Sequence, residues 1–333
     1  IIYPNLNIDH ILKQQEMTTE SVDCLIIGSG PAGYTAAIYT SRAGLKPVLY
    51  TGPGPGGQLM LTSDVENFPG YAEGIMGPQM MEDLRKQAAR FGADIRMGLA
   101  TSVDFSGPIH KVTIDNKHEI TAKAVIISTG ASARWLGLES ELRLRDAGGG
   151  VSSCAVCDGF FFKGQDVVVV GGGDSATEEA SYLSKICNKV YLLVRRDEMR
   201  ASKIMQQRVI NKDNVEILWN TVTEEVLGDN QVEAVRVKNT VTNETTDLKV
   251  GAFFVAIGHK PNTDIFKEYI DMDDTGYILT QKGTSKTNIE GVFASGDVQD
   301  KDYRQAITAA GSGCMAALDA ERYIAEKEAV GAF

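Results

Sequence analysis

Twice in this chain an apolar run ends on closely spaced glycines and passes straight into a helix-forming stretch. The first is VDCLIIGSGPAGYTAAIYTSRAG, with an apolar strand over Cys24 to Ile27 followed by Gly28, Gly30 and Gly33. The second is QDVVVVGGGDSATEEASYLSKI, with a valine strand from Val167 to Val170 followed by Gly171, Gly173 and Ala176. Strand, glycine turn and helix in that order form a dinucleotide-binding fingerprint. The first glycine permits the turn, the second lets backbone approach a pyrophosphate, and the small third residue seats the helix on the strand. The helix N-terminus then faces the negative charge. One such turn alone is a weak signal. Two, each in the right context, predict an α/β chain with two Rossmann-like dinucleotide-binding domains.

The residue that reads the ribose stands about 20 positions past the third small residue. After the first turn that position falls in VLYTGPGPGGQL, which offers no carboxylate. After the second it falls in YLLVRRDEMRASK, where Arg195 and Arg196 replace the acid that favours NAD, and Arg200 follows. Guanidinium forks suit the 2′-phosphate that distinguishes NADPH. The second turn, Gly171 to Gly173 with Gly172, Asp174, Ser175 and Ala176, is therefore expected to hold NADPH.

Further apolar strands close on small residues at AVIISTGASAR, FFVAIGHKPN and GVFASGDVQD, and the last leads into a long small-residue helix. The second fingerprint lies well inside the chain and the ASGD segment near its end, so one domain is expected to be inserted into the other. The reading gives residues 17–132 and 263–333 to the first domain and residues 133–262 to the inserted NADPH domain. Residues 1–16 are expected to be a leader, with the biological start at Met17.

The chain has 33 Lys+Arg against 44 Asp+Glu, a net charge of −11, which argues against broad binding of phosphate backbones. No apolar stretch approaches the roughly 20 residues of a membrane span. Five cysteines without a disulfide framework point to a reducing compartment, here the cytoplasm. The four histidines have no metal-ligand spacing, so no metal is expected. One cysteine pair stands apart: SSCAVCDGFF places Cys154 and Cys157 as C-x-x-C, with Asp158 next. Lacking partner ligands for zinc, and standing before a nucleotide-fold strand, this pair reads as redox-active. Cys24, Cys187 and Cys314 read as buried filler.

In combination, GSGPAG, TGPGPGGQL, VENFPG, STGASAR, CAVCDGFF, GGGDSATEEA, IGHKPNT and ASGDVQDKDYRQA resemble the low-molecular-weight thioredoxin reductase family. The match runs in family order from about Val22 to Ile324. It implies FAD in the first domain, NADPH in the second, thioredoxin as the protein substrate, and a homodimer. Carried over by position, the FAD shell comprises Gly28, Ser29, Gly30, Pro31, Ala32 and Gly33, then Thr51, Gly52, Gly57 and Gln58. It continues with Asn67, Thr129 and Gly130, and with Asp297, Arg304, Gln305 and Ala306. The resemblance makes Cys157 the flavin-proximal thiol and Cys154 the interchange thiol, with Phe160 and Phe161 gripping the partner. The exchange consumes protons, and Asp158, next to the pair, is the nearest candidate general acid. The chain departs from the family in two places: Val194 stands where the basic motif usually opens with His, and Gly149 where relatives often carry Arg.

The implied chemistry passes two electrons from NADPH through a flavin to the disulfide and on to thioredoxin, with the inserted domain rotating between half-reactions. Three other readings stay open: a dithiol oxidase, a reductase fed by ferredoxin, and a redox sensor that signals through its disulfide. The intact GGGDSA turn with its arginines argues against the first two.

Overall fold

The structure, a computed structural model, describes residues 18–62 and 64–333. The expected start at Met17 and the leader before it lie outside the described residues. Contacts divide the chain into two units. The first gathers the described residues through Met60 with Gln79–Ala131 and Pro261–Phe333, and the second gathers Leu61–Pro78 with Ser132–Lys260. The segment 61–78, placed by sequence in the first domain, groups with the second unit.

In the first unit the strand Thr18–Ile27 lies parallel to Val48–Tyr50 on one side and to His118–Ile127 on the other. Asp94–Arg96 extends the sheet beyond Val48–Tyr50. His118–Ile127 is long enough to serve two partners. Its first half pairs antiparallel with His110–Ile114, and its second half pairs parallel with Val292–Ala294. Side chains alternate across a strand, so a strand covered on both faces must be apolar at every position. Cys24 and Ile26 join the core under helices Pro31–Arg42 and Ala306–Ala329, with Tyr34, Ala37, Ala316 and Ala320. Leu25 and Ile27 join the opposite core with Phe105, Val125 and Phe266.

The second unit repeats the winding. Its parallel sheet runs Val151–Ser152, Ala252–Val255, Asp166–Val170, Lys189–Val194, Val215–Trp219. Val167 and Val169 pack on Ala176, Ala180 and Leu183 of helix Asp174–Leu183. Val168 packs the other way, with Leu193 and Phe253, against Val226 and Val235 of an antiparallel meander formed by Thr221–Leu227, Ala234–Asn239 and Thr245–Lys249. Full burial of each valine stabilises the unit by about 1.5–3 kcal/mol. In both units the glycine-turn strand leads through a helix to its parallel neighbour, and a third strand lies beyond. The expected pair of Rossmann-like folds is present. The two chain crossings, Ala131–Ala133 and His259–Pro261, pair with each other.

One buried imidazole leaves a trace on stability. His110 lies edge-on to Phe105 at 5.3 Å, and its Nε2 donates to the Glu290 carbonyl at 3.0 Å. Its Nδ1 is buried with no partner among the described residues. Burial therefore holds its pKa below the usual 6.5. As pH falls through that range the unfolded chain takes up a proton that the folded chain resists, so stability is full above it and declines below. The urea midpoint is expected to drop between about pH 7.5 and about pH 5.5, either side of the ordinary imidazole range. His110→Gln should shrink that drop.

Candidate active site

The first glycine turn is built by close approach. Gly28 sits at φ +110°, and a Cβ there would lie 2.2 Å from the Ser128 carbonyl oxygen. Gly28 N–H donates to the Tyr50 carbonyl at 2.8 Å, closing the turn over the strand ends. Ser29 is buried; its hydroxyl donates to the Thr51 carbonyl and accepts from Gly56 N–H, both at 3.0 Å. This links the turn to the 51–57 loop, and Gly57 comes to rest beside Gly30. Gly30 precedes helix Pro31–Arg42 with no side-chain cap, and a Cβ there would meet only open space. Ala32 packs under Gly296, whose own Cβ position is 2.8 Å from the alanine methyl.

That contact brings Asp297 to the same end of the sheet. Among the described residues no hydrogen-bond donor reaches its half-buried carboxyl. Burial first, then the charge of Asp300, push its pKa up to about 7, with Arg304 opposing. Arg304 adopts a left-handed φ of +47° and its guanidinium donates to the Lys301 carbonyl. Gln305 precedes helix Ala306–Ala329 and forms a capping box with Thr308. On the neighbouring strand end, Thr129 Oγ1 donates to the Asn262 carbonyl at 2.7 Å, and Asn262 N–H donates to the Gly130 carbonyl at 2.9 Å. Gln58 donates to the Ala131 carbonyl, and Gly52 bridges to Gly98. Asn67 lies in the segment that groups with the second unit. An uncapped helix start, an open glycine and a carboxyl without a donor fit a ligand with a pyrophosphate and hydroxyls.

The second turn has the same construction. Gly171 sits at φ +147°, with a Cβ position 2.4 Å from the Ala256 carbonyl oxygen and 2.7 Å from the Ala176 methyl. Gly173 faces open space before helix Asp174–Leu183. The 195–202 loop folds back onto this turn: Arg200 N–H and Ala201 N–H both donate to the Gly172 carbonyl, at 2.7 and 3.0 Å. Asp174 accepts from Ser202 N–H at 2.8 Å, and the Ser175 position follows in the first helical turn. Arg195, Arg196 and Arg200 are exposed on this loop, which bonds back to the turn before an uncapped helix start. That set fits a phosphate-bearing nucleotide. Val194 is buried against Gly172 and offers it only a methyl.

Cys154 and Cys157 are joined in a disulfide with their Cα atoms 5.3 Å apart. Sequence placed this pair simply before a strand. The structure adds a one-turn helix, Ala155–Asp158, which Cys154 caps by accepting Cys157 N–H on its sulfur at 3.2 Å. Four residues are too few to leave a helical period in the sequence. Asp158 is held by Ser152, whose Oγ donates to Oδ2 at 2.5 Å. Burial raises the Asp158 pKa and the Ser152 bond opposes that rise. Ser152 was missed by motif reading, since a serine two places before a cysteine carries no signal alone. Val156, Phe160 and Phe161 are exposed around the disulfide turn, so the aromatic pair is not core. Cys24 and Cys187 are buried, but Cys314 is half-exposed on the long C-terminal helix, a correction to its reading as buried filler. Among the described residues no cluster of His, Cys, Asp or Glu could hold a metal ion.

A family profile described as pyridine nucleotide-disulphide oxidoreductase matches residues 22–313. The thioredoxin reductase of Rickettsia conorii is 52% identical over 303 residues, 90% of this chain and 97% of that one. That of Mycolicibacterium smegmatis is 51% identical over 93% of this chain and 99% of its own. The chain belongs to the thioredoxin reductases of the pyridine nucleotide-disulphide oxidoreductase family. Among solved structures, thioredoxin reductase from Giardia duodenalis superposes with a TM-score of 0.87 at 44% identity, covering 92% of this chain and 99% of that one. The Streptococcus pyogenes enzyme gives the same TM-score at 40% identity, covering 92% and 99%.

Against the family pattern, Gly149 has a local explanation. A Cβ there would lie 2.5 Å from the Asn230 carbonyl oxygen, and its backbone bonds to Leu144 and Val232. Any side chain at this position would displace the 228–232 turn. The turn geometry also sets a stability expectation. Gly28→Ala should cost at least about 2 kcal/mol, from the clash with Ser128 and the positive φ together. Gly30→Ala, which meets open space, should cost much less in the same urea titration.

Proposed function

We propose that this chain is an NADPH-dependent, FAD-containing reductase of thioredoxin disulfides. The observation that carries the reading is the Cys154–Cys157 disulfide, followed at once by Asp158, in the same unit as the second glycine turn and its arginine loop. FAD would be held by Gly28 to Gly33, the Thr51 to Gln58 loop, Asn67, Thr129 with Gly130, and Asp297 with Arg304, Gln305 and Ala306. NADPH would be held by Gly171 to Ala176, with Arg195, Arg196 and Arg200 at the 2′-phosphate. When bound, the two cofactors supply the two-electron transfer that opens the disulfide.

The chain's own residues then carry the exchange. The Cys154 thiolate attacks a thioredoxin disulfide sulfur, forming an intermolecular S–S bond and expelling one thioredoxin thiolate. The Cys157 thiolate attacks Cys154 Sγ, restoring the internal disulfide and expelling the second. The Cys157 N–H on Cys154 Sγ supports giving Cys154 the interchange role, because it stabilises negative charge on that sulfur. Asp158 protonates the departing thiolate, since burial keeps more of its carboxyl in the acid form than an exposed aspartate has. Exposed Phe160 and Phe161 supply an apolar contact for thioredoxin.

The dithiol and the NADPH turn share one unit, and the FAD turn belongs to the other. The reading therefore includes a rotation of the inserted domain, residues 133–262, about the crossings near 131–134 and 260–263. It also includes a homodimer, to be checked by sedimentation, and a cytoplasmic setting. No helix among the described residues is long and apolar enough to cross a membrane.

NADPH oxidation by the purified yellow protein should depend on added oxidised thioredoxin. Both Cys154→Ser and Cys157→Ser should abolish it. Cys157→Ser alone should accumulate a mixed disulfide with thioredoxin, visible on a non-reducing gel. Trapping by Cys154→Ser instead would reverse the two roles. The double variant Arg195→Ala with Arg196→Ala should raise KM for NADPH at least about tenfold, in line with losing charged hydrogen bonds. Its KM for NADH should change little, and equal losses would mark these arginines as structural.

A further inference from the structure

Ser152 lies at the end of the short strand Val151–Ser152, in register with Phe254 of the neighbouring parallel strand. It is buried, at 7% exposed. That hydroxyl has three partners: it accepts Cys154 N–H at 3.0 Å, donates to Asp158 Oδ2 at 2.5 Å, and lies 3.4 Å from the Cys154 carbonyl oxygen. A serine hydroxyl has one proton and two lone pairs. An ionised Asp158 accepts only, so Ser152 must give it the proton. A neutral Asp158 can instead donate to Ser152, whose proton then turns to the Cys154 carbonyl. Cys154 N–H keeps its acceptor in both states.

We propose that Ser152 is a positioning residue for the disulfide exchange, keeping Asp158 hydrogen-bonded in its acid and carboxylate forms and tying it to the Cys154 backbone. The proposal rests on the reading of Asp158 as the general acid. When Asp158 gives its proton to a departing thiolate, the Ser152 proton swings from the Cys154 carbonyl to the new carboxylate. Ser152 neither gains nor loses a proton, and no group is left unpaired in a site where a bare carboxylate is costly. The anchor matters because the cysteine turn itself is a single helical turn, while Ser152 belongs to the sheet.

Among the described residues, Ser152 is the side chain that hydrogen-bonds the Asp158 carboxyl. Strands Val151–Ser152 and Ala252–Val255 and the turn Gly159–Phe162 carry no titratable group. Helix Asp174–Leu183, packed on the cysteine turn, carries Asp174, Glu178, Glu179 and Tyr182. Helix Glu139–Asp146, packed on the Ser152 strand, carries Glu139, Glu141, Arg143, Arg145 and Asp146. The upward shift of Asp158 comes first from burial, with the Ser152 hydrogen bond opposing it.

The test reads Asp158 directly in the oxidised holoenzyme, by the pH titration of carboxyl-labelled aspartate, with the Asp158 signal assigned by its loss in Asp158→Asn. Ser152→Ala is expected to raise the Asp158 midpoint by about one pH unit, a tenfold change in its ionisation constant. Should that variant fold poorly, Ser152→Thr and Ser152→Val differ only in the hydroxyl: the threonine should titrate like the parent and the valine should be shifted. A midpoint unmoved in Ser152→Ala, or equal in the Thr and Val variants, overturns the proposal. Thioredoxin turnover provides the second arm, because its alkaline limb should follow the same shift. A moved midpoint with an unmoved turnover profile would uphold the hold of Ser152 on Asp158 and overturn the acid role of Asp158.

Discussion

The contact between Gly28 and the Ser128 carbonyl, repeated between Gly171 and the Ala256 carbonyl, is the constraint on which the rest depends. In each, a glycine with no Cβ lets one strand end turn hard against its parallel neighbour. The helix that follows then starts at the carboxyl edge of the sheet with its first N–H groups free of any side-chain cap. The two glycine turns proposed to bind nucleotides are built at those two starts. A methyl group at either glycine would push the turn away and lose the alignment.

Two acids show how the same physical term serves different ends. Burial raises the pKa of both Asp158 and Asp297, but their surroundings differ. Asp297 faces a second carboxylate, Asp300, and receives no donor within the described residues, so it suits a ligand that brings hydroxyls. Asp158 has a serine donor and a neighbouring disulfide, so it suits proton traffic. A half-buried carboxyl is costly to keep charged and costly to leave unpaired. The partner that relieves that cost distinguishes a binding group from a reacting one.

Legibility varied with the range of the interaction. The valine run and the Cys24 to Ile27 run were readable because two-sided burial demands apolar residues at every position, whatever else surrounds them. The arginines at 195, 196 and 200 were readable from spacing, but their exposure was not, nor was the return of the Arg200 backbone onto Gly172. Segment 61–78 was assigned by proximity in sequence, and contacts group it elsewhere. Phe160 and Phe161 allow a core or a surface reading from sequence, and exposure decides for the surface.

The sequence by itself determined the strand–turn–helix units, their order, and the close spacing of Cys154, Cys157 and Asp158. These are local matters, governed by alternation, by glycine's freedom and by chain connectivity. Only the tertiary structure decided that Gly149 must stay small beneath the Asn230 carbonyl, that Asp297 meets the first turn, and that Ser152 holds Asp158. Each of these depends on a fixed strand or on atoms brought close by packing, and a hydrogen bond or a clash is settled within a few tenths of an ångström. That precision arises only after the sheet has set its register.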